Sequence, residues 1–352
     1  MDLKDFINSQ NIALYMKELP LEDTVDRVLF PSRKQLSNEL EVAKGAKKKP
    51  VALKKSTFDV AAKQRSLSAS IDVIKKEMPY FKESIPLKEK DRQQLIIALQ
   101  SGNQNLVQAL TQQVFENYES LIKGAEVDAK RMRAQVIQNG YINITSDDGD
   151  IMVDYGVPDS HKETISSSTK KWNVATADIV GDIAKYQKVI TDDHHDKPNI
   201  ALMTEKTFLD TFLINTAIKA DLNGNVSNQN RILSEQDFLN FAKERLGLNV
   251  VFLENTTFMP TIDGEPVAYY EDGKVTFMSG KTLGETVYGA TPEEFDKVYG
   301  SGKADTSMTG DLNAVAVTTM LKEDPVTIDT KASVTMVPSF DRADEVFFAK
   351  VY

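Results

Sequence analysis

Hydrophobic residues recur along residues 103–140 at steps of three and four. The row Leu106, Leu110, Val114, Tyr118, Leu121, Ala125, Ala129, Met132 and Val136 keeps one helix face apolar, and Val107, Phe115, Ile122 and Ile137 widen it. Asn139-Gly140 supplies a stop, because glycine enters the left-handed conformation without a Cβ penalty. At about 1.5 Å per residue the stretch predicts a rod roughly 50 Å long, several times the ordinary helix. Such a rod needs a long surface to lie on. A coiled coil would also cover it, but the spacing averages roughly 3.75 residues rather than 3.5.

Beyond Gly140 the period becomes two. Residues 141–145 and 151–155 alternate around Asp147-Asp148-Gly149-Asp150, which predicts a β-hairpin. Thr176 is placed to cap a helix reaching about Ile190. Strand and helix patterns then mix from about 199 to 325: a strand over 200–203, a helix over 205–220, a polar loop over 223–230, and a helix from Ser234 with Asp237 in near capping-box position. A strand follows over 249–253. A second hairpin is expected from 268–270 and 274–278 around Glu271-Asp272-Gly273. A short helix lies near Glu293, and strands are expected over 314–320 and 333–337. The chain ends in an apolar stretch, 346–352, suited to a sheet. The segments on either side of 199–325 look like partners, so the pattern implies a discontinuous domain with a second one inserted in it.

Upstream of the long helix, residues 1–40 hold short apolar clusters and a helical start ended by Leu29-Phe30-Pro31, an arm that needs another surface. Residues 44–65 carry Lys44, Lys47, Lys48, Lys49, Lys54, Lys55, Lys63 and Arg65 against Asp59 alone. Eight bases against one acid leave +7, and the rest of a chain of net charge -10 therefore carries -17. Three readings stand: a solvated loop, an extended hairpin gripping an acidic neighbour, or a nucleic-acid contact. Only Phe58 interleaves with the lysines, so the pattern of single-strand binding is absent.

The 352 residues allow two or three folding units. The acidic balance argues against coating nucleic acid by bulk charge. The chain has no cysteine, which excludes disulfides and cysteine-based metal sites. Its N-terminus has no apolar leader and no stretch approaches membrane-spanning length, so a cytoplasmic product is expected. Gly280-Lys281-Thr282 resembles the tail of a phosphate-binding loop, but Val275 stands where the first glycine belongs. Asp192-Asp193-His194-His195-Asp196 contains metal-ligand types, yet adjacent loop residues point apart and His161 is the only other histidine. No nucleophile elbow or dinucleotide fingerprint occurs, and no enzyme or cofactor is expected.

Taken in order, several features resemble the major capsid proteins of tailed bacteriophages, the lambda E-protein-like family. They are Leu29-Phe30-Pro31, the charged loop, the long helix with Glu126, Asp128, Ala129 and Arg133, Asn139-Gly140, the hairpin ending Val153-Asp154-Tyr155-Gly156-Val157, Trp172, Lys322-Glu323-Asp324-Pro325, and the closing segment from Val337-Pro338. The hairpin ends Asp-Tyr-Gly where relatives have Asp-Phe-Gly, and its acidic turn lacks extra glycines. The resemblance implies an α+β chain with the tailed-phage/herpesvirus major capsid fold. It would comprise an N-terminal arm (1–40), an extended loop (41–80), a peripheral domain (81–198 and 326–352) with a spine helix (103–139), and an axial domain (199–325).

The implied function is self-assembly into hexamers, pentamers and an icosahedral head shell of a virion. The shell would be built in the host cytoplasm and enclose dsDNA without sequence-specific binding or a membrane. The implied partners are other copies, a portal protein and, in some relatives, a decoration protein. The chain opens directly on the arm, so a separate scaffolding protein is expected rather than a fused one. The eight bases of 44–65 would contact a neighbouring subunit. Two alternatives stay open: an encapsulin-like nanocompartment shell, and a soluble metal-dependent enzyme using residues 192–196.

Overall fold

A computed structural model describes residues 7–17, 23–44, 72–101, 104–145, 149–224, 233–261, 264–280 and 282–352. The chain packs as two compact units. The first comprises Met1–Glu41, Lys75–Arg133 and Glu285–Ser339; the second comprises Val42–Ile74, Ala134–Gly284 and Phe340–Tyr352. The expected long helix is present as Gln104–Asn139, shared between the two units.

In the first unit a six-stranded sheet is built on the strand Ile328–Pro338, buried along almost its whole length. On one edge it pairs antiparallel with Tyr80–Leu87; on the other it pairs with Val315–Leu321 and Thr286–Gly289. Asp305–Thr309 extends the sheet beyond Val315–Leu321, and Ser32–Lys34 joins Thr286–Gly289 in parallel. A strand can be buried on both faces only when both are covered. The long helix supplies one cover: Leu121, Gly124, Ala125 and Asp128 line a narrow groove of about 110 Å³ with Phe81, Val315, Ala332 and Val334. Burial along this helix is graded. Leu106 is 45% exposed, Leu110 and Val114 are half-buried, and Tyr118, Leu121, Ala129 and Met132 are buried.

The second unit holds a five-stranded sheet in the order Lys162–Thr164, Phe347–Lys350, Lys274–Met278, Ile200–Thr204, Asn249–Leu253. The outer pairings are parallel and the inner two antiparallel. Its core gathers Trp172, Tyr186, Phe208, Phe212, Phe277 and Phe347. Tyr186 stacks on Phe347 at 4.3 Å and on Trp172 at 6.4 Å, while Phe212 meets the Trp172 ring edge-on. Trp172 Nε1 donates to Asp182 Oδ2 at 2.9 Å, which satisfies the polar end of a fully buried indole.

Several elements differ from expectation for identifiable reasons. The expected helix over 205–220 is two helices, Glu205–Thr211 and Thr216–Asn223. Asn215 separates them: its side chain accepts from the N–H groups of Ala217 and Ile218 and donates to Ala177 O. The helix Ile179–Asp192 is capped by Asp178, not Thr176, through Gly181 N–H. The second hairpin does not form. Val267–Ala268 pairs with Thr257–Phe258, and Lys274–Met278 pairs with the C-terminal strand and Ile200–Thr204. The turn between them is used elsewhere: Asp272 accepts from Thr204 and Lys206, and Gly273 N–H donates to Thr207 Oγ1. The packing limits also differ from the expected domain limits. Residues 285–325 join the first unit because their strands pair with Ile328–Pro338, and Phe340–Tyr352 joins the second because Phe347–Lys350 pairs with Lys274–Met278.

Helix and hairpin meet at Gly140. It sits at φ +71 and donates to Val136 O at 3.0 Å, the left-handed C-cap. The hairpin then forms as Tyr141–Ile144 against Ile151–Asp154. A Cβ on Gly140 would lie 2.6 Å from Val157 Cγ2 and 3.0 Å from Phe348 Cε2. Gly140→Ala is therefore expected to destabilise the fold by about 2–4 kcal/mol, summing left-handed strain and overpacking, as read by urea unfolding.

Candidate functional site

The first unit contains a charged network that the sequence does not display as a motif. Arg133, on the long helix, and Asp26, in the short helix Val25–Leu29, are each only 1% exposed. Arg133 Nε donates to Asp26 Oδ2 at 2.5 Å, Nη2 to Glu126 Oε1 at 2.6 Å and Nη1 to Thr286 Oγ1 at 3.4 Å. Arg27 grips the same Glu126 with two nitrogens, at 3.1 and 3.0 Å, and reaches Asp311 at 3.3 Å. Ser32 also donates to Asp311, and Thr286 Oγ1 donates to Phe30 O at 3.0 Å. Burial opposes the Arg133 charge, but Asp26 and Glu126 outweigh it and raise its pKa. The same balance against Glu126 and Asp311 raises that of Arg27. Four pieces of chain distant in sequence are thus tied into one network: 26–32, 126–133, 286 and 311.

A second network fixes the helix Pro292–Tyr299, capped by Thr291. Glu293 accepts from Lys331, from Tyr80 OH at 2.8 Å and from Ser333 Oγ at 2.9 Å. Burial alone would raise the Glu293 carboxyl. Hydrogen bonds from Lys331, its own backbone, Tyr80 and Ser333 overcome that and hold it at about 2. Burial, with Glu293 adding to it, pushes the Tyr80 phenol up to about 12. Lys34 Nζ donates to Glu294 Oε1 at 2.6 Å and to Asn313 O at 2.8 Å. In the groove beneath the long helix, burial pushes the Asp128 carboxyl up to about 6, against Arg131 and with Glu83.

Of the eight bases singled out in the sequence, Lys47, Lys48, Lys49, Lys54, Lys55, Lys63 and Arg65 lie outside the described residues. Lys44 ends the strand Glu39–Lys44, which pairs with Asp72–Glu77. The Asp192–Asp196 cluster terminates a helix. His194 takes φ +68 and donates its N–H to Thr191 O, while His195 N–H reaches Ile190 O, the paired bonds of a Schellman cap. Asp193 Oδ2 lies 2.8 Å from the buried His161 Nε2. Among the described residues no group of three or more His, Cys, Asp or Glu side chains is placed to hold a metal. Lys281 also lies outside the described residues, while Arg342 Nη1 donates to Ser279 O and Thr282 O across that turn.

Removing the guanidinium should leave Asp26 buried and unpaired. Arg133→Ala is expected to lower unfolding stability by about 3–5 kcal/mol in urea, with Arg133→Lys recovering only part because a compact ammonium cannot span acceptors spread around three guanidinium nitrogens. Glu293 gives a pH signature. Its folded carboxyl is depressed to about 2 from 4.5, so its contribution is full above the unfolded value and fades as pH falls toward 2. The stability gap between the wild-type chain and Glu293→Gln should narrow over that window in urea titrations at successive pH values.

Comparison with known proteins places this architecture. A prophage protein of E. coli CFT073, assigned as a capsid protein, superposes with a TM-score of 0.59 at 12% identity, covering 98% of this chain and 99% of that one. A phage-related protein of Bordetella bronchiseptica RB50 superposes at 0.50 with 9% identity, covering 98% and 97%. These likenesses show a shared fold. None of the curated proteins matches the chain in sequence. The family model described as phage major capsid protein E matches residues 9–351. The chain therefore belongs to the phage major capsid protein E family.

Proposed function

We propose that this chain is the coat subunit from which a tailed-phage head is assembled around dsDNA, without catalysis. The observation that carries the reading is the family match over nearly the whole length, residues 9–351. As a member of that family it is a structural protein of the virion.

Residues 1–40 act as the N-terminal arm and 41–80 as the extended loop. The rest of the first packing unit serves as the peripheral domain with the spine helix, and the rest of the second as the axial domain gathered around the symmetry axes of hexamers and pentamers. These proposed limits follow the packing units rather than 81–198 with 326–352 and 199–325; the pairing of the strands of 285–338 in one sheet and of Phe347–Lys350 in the other supports them. Identical copies meet through unlike surfaces that close into rings and then a shell. A separate scaffolding protein and a portal complete assembly in the host cytoplasm.

The basic stretch 44–65 meets acidic surface on a neighbouring copy. This is supported by its +7 charge against -17 elsewhere in the chain. Electron microscopy of the protein expressed alone, and together with a scaffolding gene, tests the reading. Closed shells, tubes or rings are expected; a stable monomer under both conditions overturns it. Lys→Glu changes at Lys47, Lys48 and Lys49, or high salt, should weaken assembly. Unchanged particle yields would refute the role given to these lysines.

A further inference from the structure

The helix Pro292–Tyr299 lies on the first unit with its polar side inward. None of its residues is buried. Glu293 is held by Lys331, Tyr80 and Ser333, and Glu294 by Lys34. Lys297 Nζ donates to Thr306 O at 2.6 Å. Asp296 closes the C-terminus, accepting from Ser301 N–H and Oγ–H, while its carbonyl accepts from Gly300 and Gly302. With its charged side chains engaged, the helix presents Phe295, Val298 and Tyr299 to solvent, 40%, 61% and 69% exposed. Spaced by three and four residues they share one face, and the Phe295 and Tyr299 rings lie 5.8 Å apart. An ordinary surface helix turns its apolar stripe inward. Here the stripe is outward, and an outward apolar patch rimmed by polar residues marks a contact surface.

We propose that Phe295, Val298 and Tyr299 form a contact between neighbouring copies of this chain. The inference rests on the coat reading and adds a surface that reading does not specify. Charge selects the occupant. Glu293 pairs with Lys331 and Glu294 with Lys34, and the neighbouring Asp296 and Lys297 cancel in number without pairing, so the helix and its partners carry no net charge on a chain of net charge -10. Acidic copies repel one another over most of their surface, and a neutral apolar patch is where two of them touch without that cost. With no net charge, the patch attracts neither the basic stretch 44–65 nor a nucleic acid. Its three side chains fall well short of the roughly 1,600 Å² of a stand-alone interface, so the contact operates as one of several in a closed lattice and does not hold a free dimer.

The absence of cysteine permits a direct test. A Val298→Cys chain, labelled with a thiol-directed photo-cross-linker, is irradiated as free subunits and as assembled shells. Adducts of twice the chain mass are expected in shells and absent from dilute subunits. The unlabelled Val298→Cys thiol should react about tenfold more slowly in shells, as an interface core excludes water. A Val298→Asp variant should lose at least about tenfold in shell yield with an unchanged urea midpoint, since an exposed site away from special features tolerates substitution. Shells in which the Val298→Cys thiol stays as reactive as in subunits, or cross-links only to a scaffolding protein, overturn the inference while the coat reading stands. A wild-type chain that forms no shell or ring overturns both.

Discussion

A single helix of 36 residues imposes the main physical constraint on this chain, because its apolar stripe is stable in water only where something covers it. Cover is uneven. Near its start the helix is open, with Leu106 exposed; over residues 121–128 it lies against the sheet built on Ile328–Pro338. Arg133 then anchors it from within, drawing Asp26, Glu126 and Thr286 onto one guanidinium. A buried charge of this kind contributes less to net stability than to register: displacing the helix by one turn would strand either the cation or Asp26. The N-terminal residues 26–32 are thereby tied to strands more than 250 positions later in the chain.

Charge is distributed in two ways. Inside each unit acids and bases are paired at short range, as in Glu293 with Lys331 or Asp272 with Lys206. Along the sequence they are segregated, with a cationic stretch in an otherwise acidic chain. Local pairing determines how each unit holds its own elements, and segregation is what the proposed attraction between copies draws on. A shell protein needs both, since it must be rigid alone and sticky only toward copies correctly placed. Burial of Asp128, whose carboxyl is pushed to about 6, adds a group that changes charge close to neutral pH beneath the spine helix.

Local chemistry was legible without coordinates. The spacing of Tyr118, Leu121, Ala129 and Met132 gave the long helix, Gly140 its end, and the alternation after it the hairpin. Ser234 with Asp237 forms the capping box its spacing implied, and the apolar C-terminus entered a sheet. The ordered motifs of the whole chain pointed to the capsid family. Each of these signals lies within a few residues or in their order, which a linear reading retains.

Partner choice was not legible, because it depends on residues brought together from far apart. The turn Glu271-Asp272-Gly273 has hairpin chemistry, yet its groups bond to Thr204, Lys206 and Thr207, and the strand after it pairs with the chain terminus. Arg133 was visible as a family-like residue, but not its partner Asp26, 107 positions away. The short helix near Glu293 was legible, but not that Lys331, Lys34 and Thr306 hold its polar side and leave Phe295, Val298 and Tyr299 exposed. Sequence by itself determined the long helix, its glycine stop, the first hairpin and the Ser234 capping box, since those energies are local. Tertiary structure alone decided which strands pair, which charges are buried and which apolar face is left exposed, since those energies arise only between distant segments.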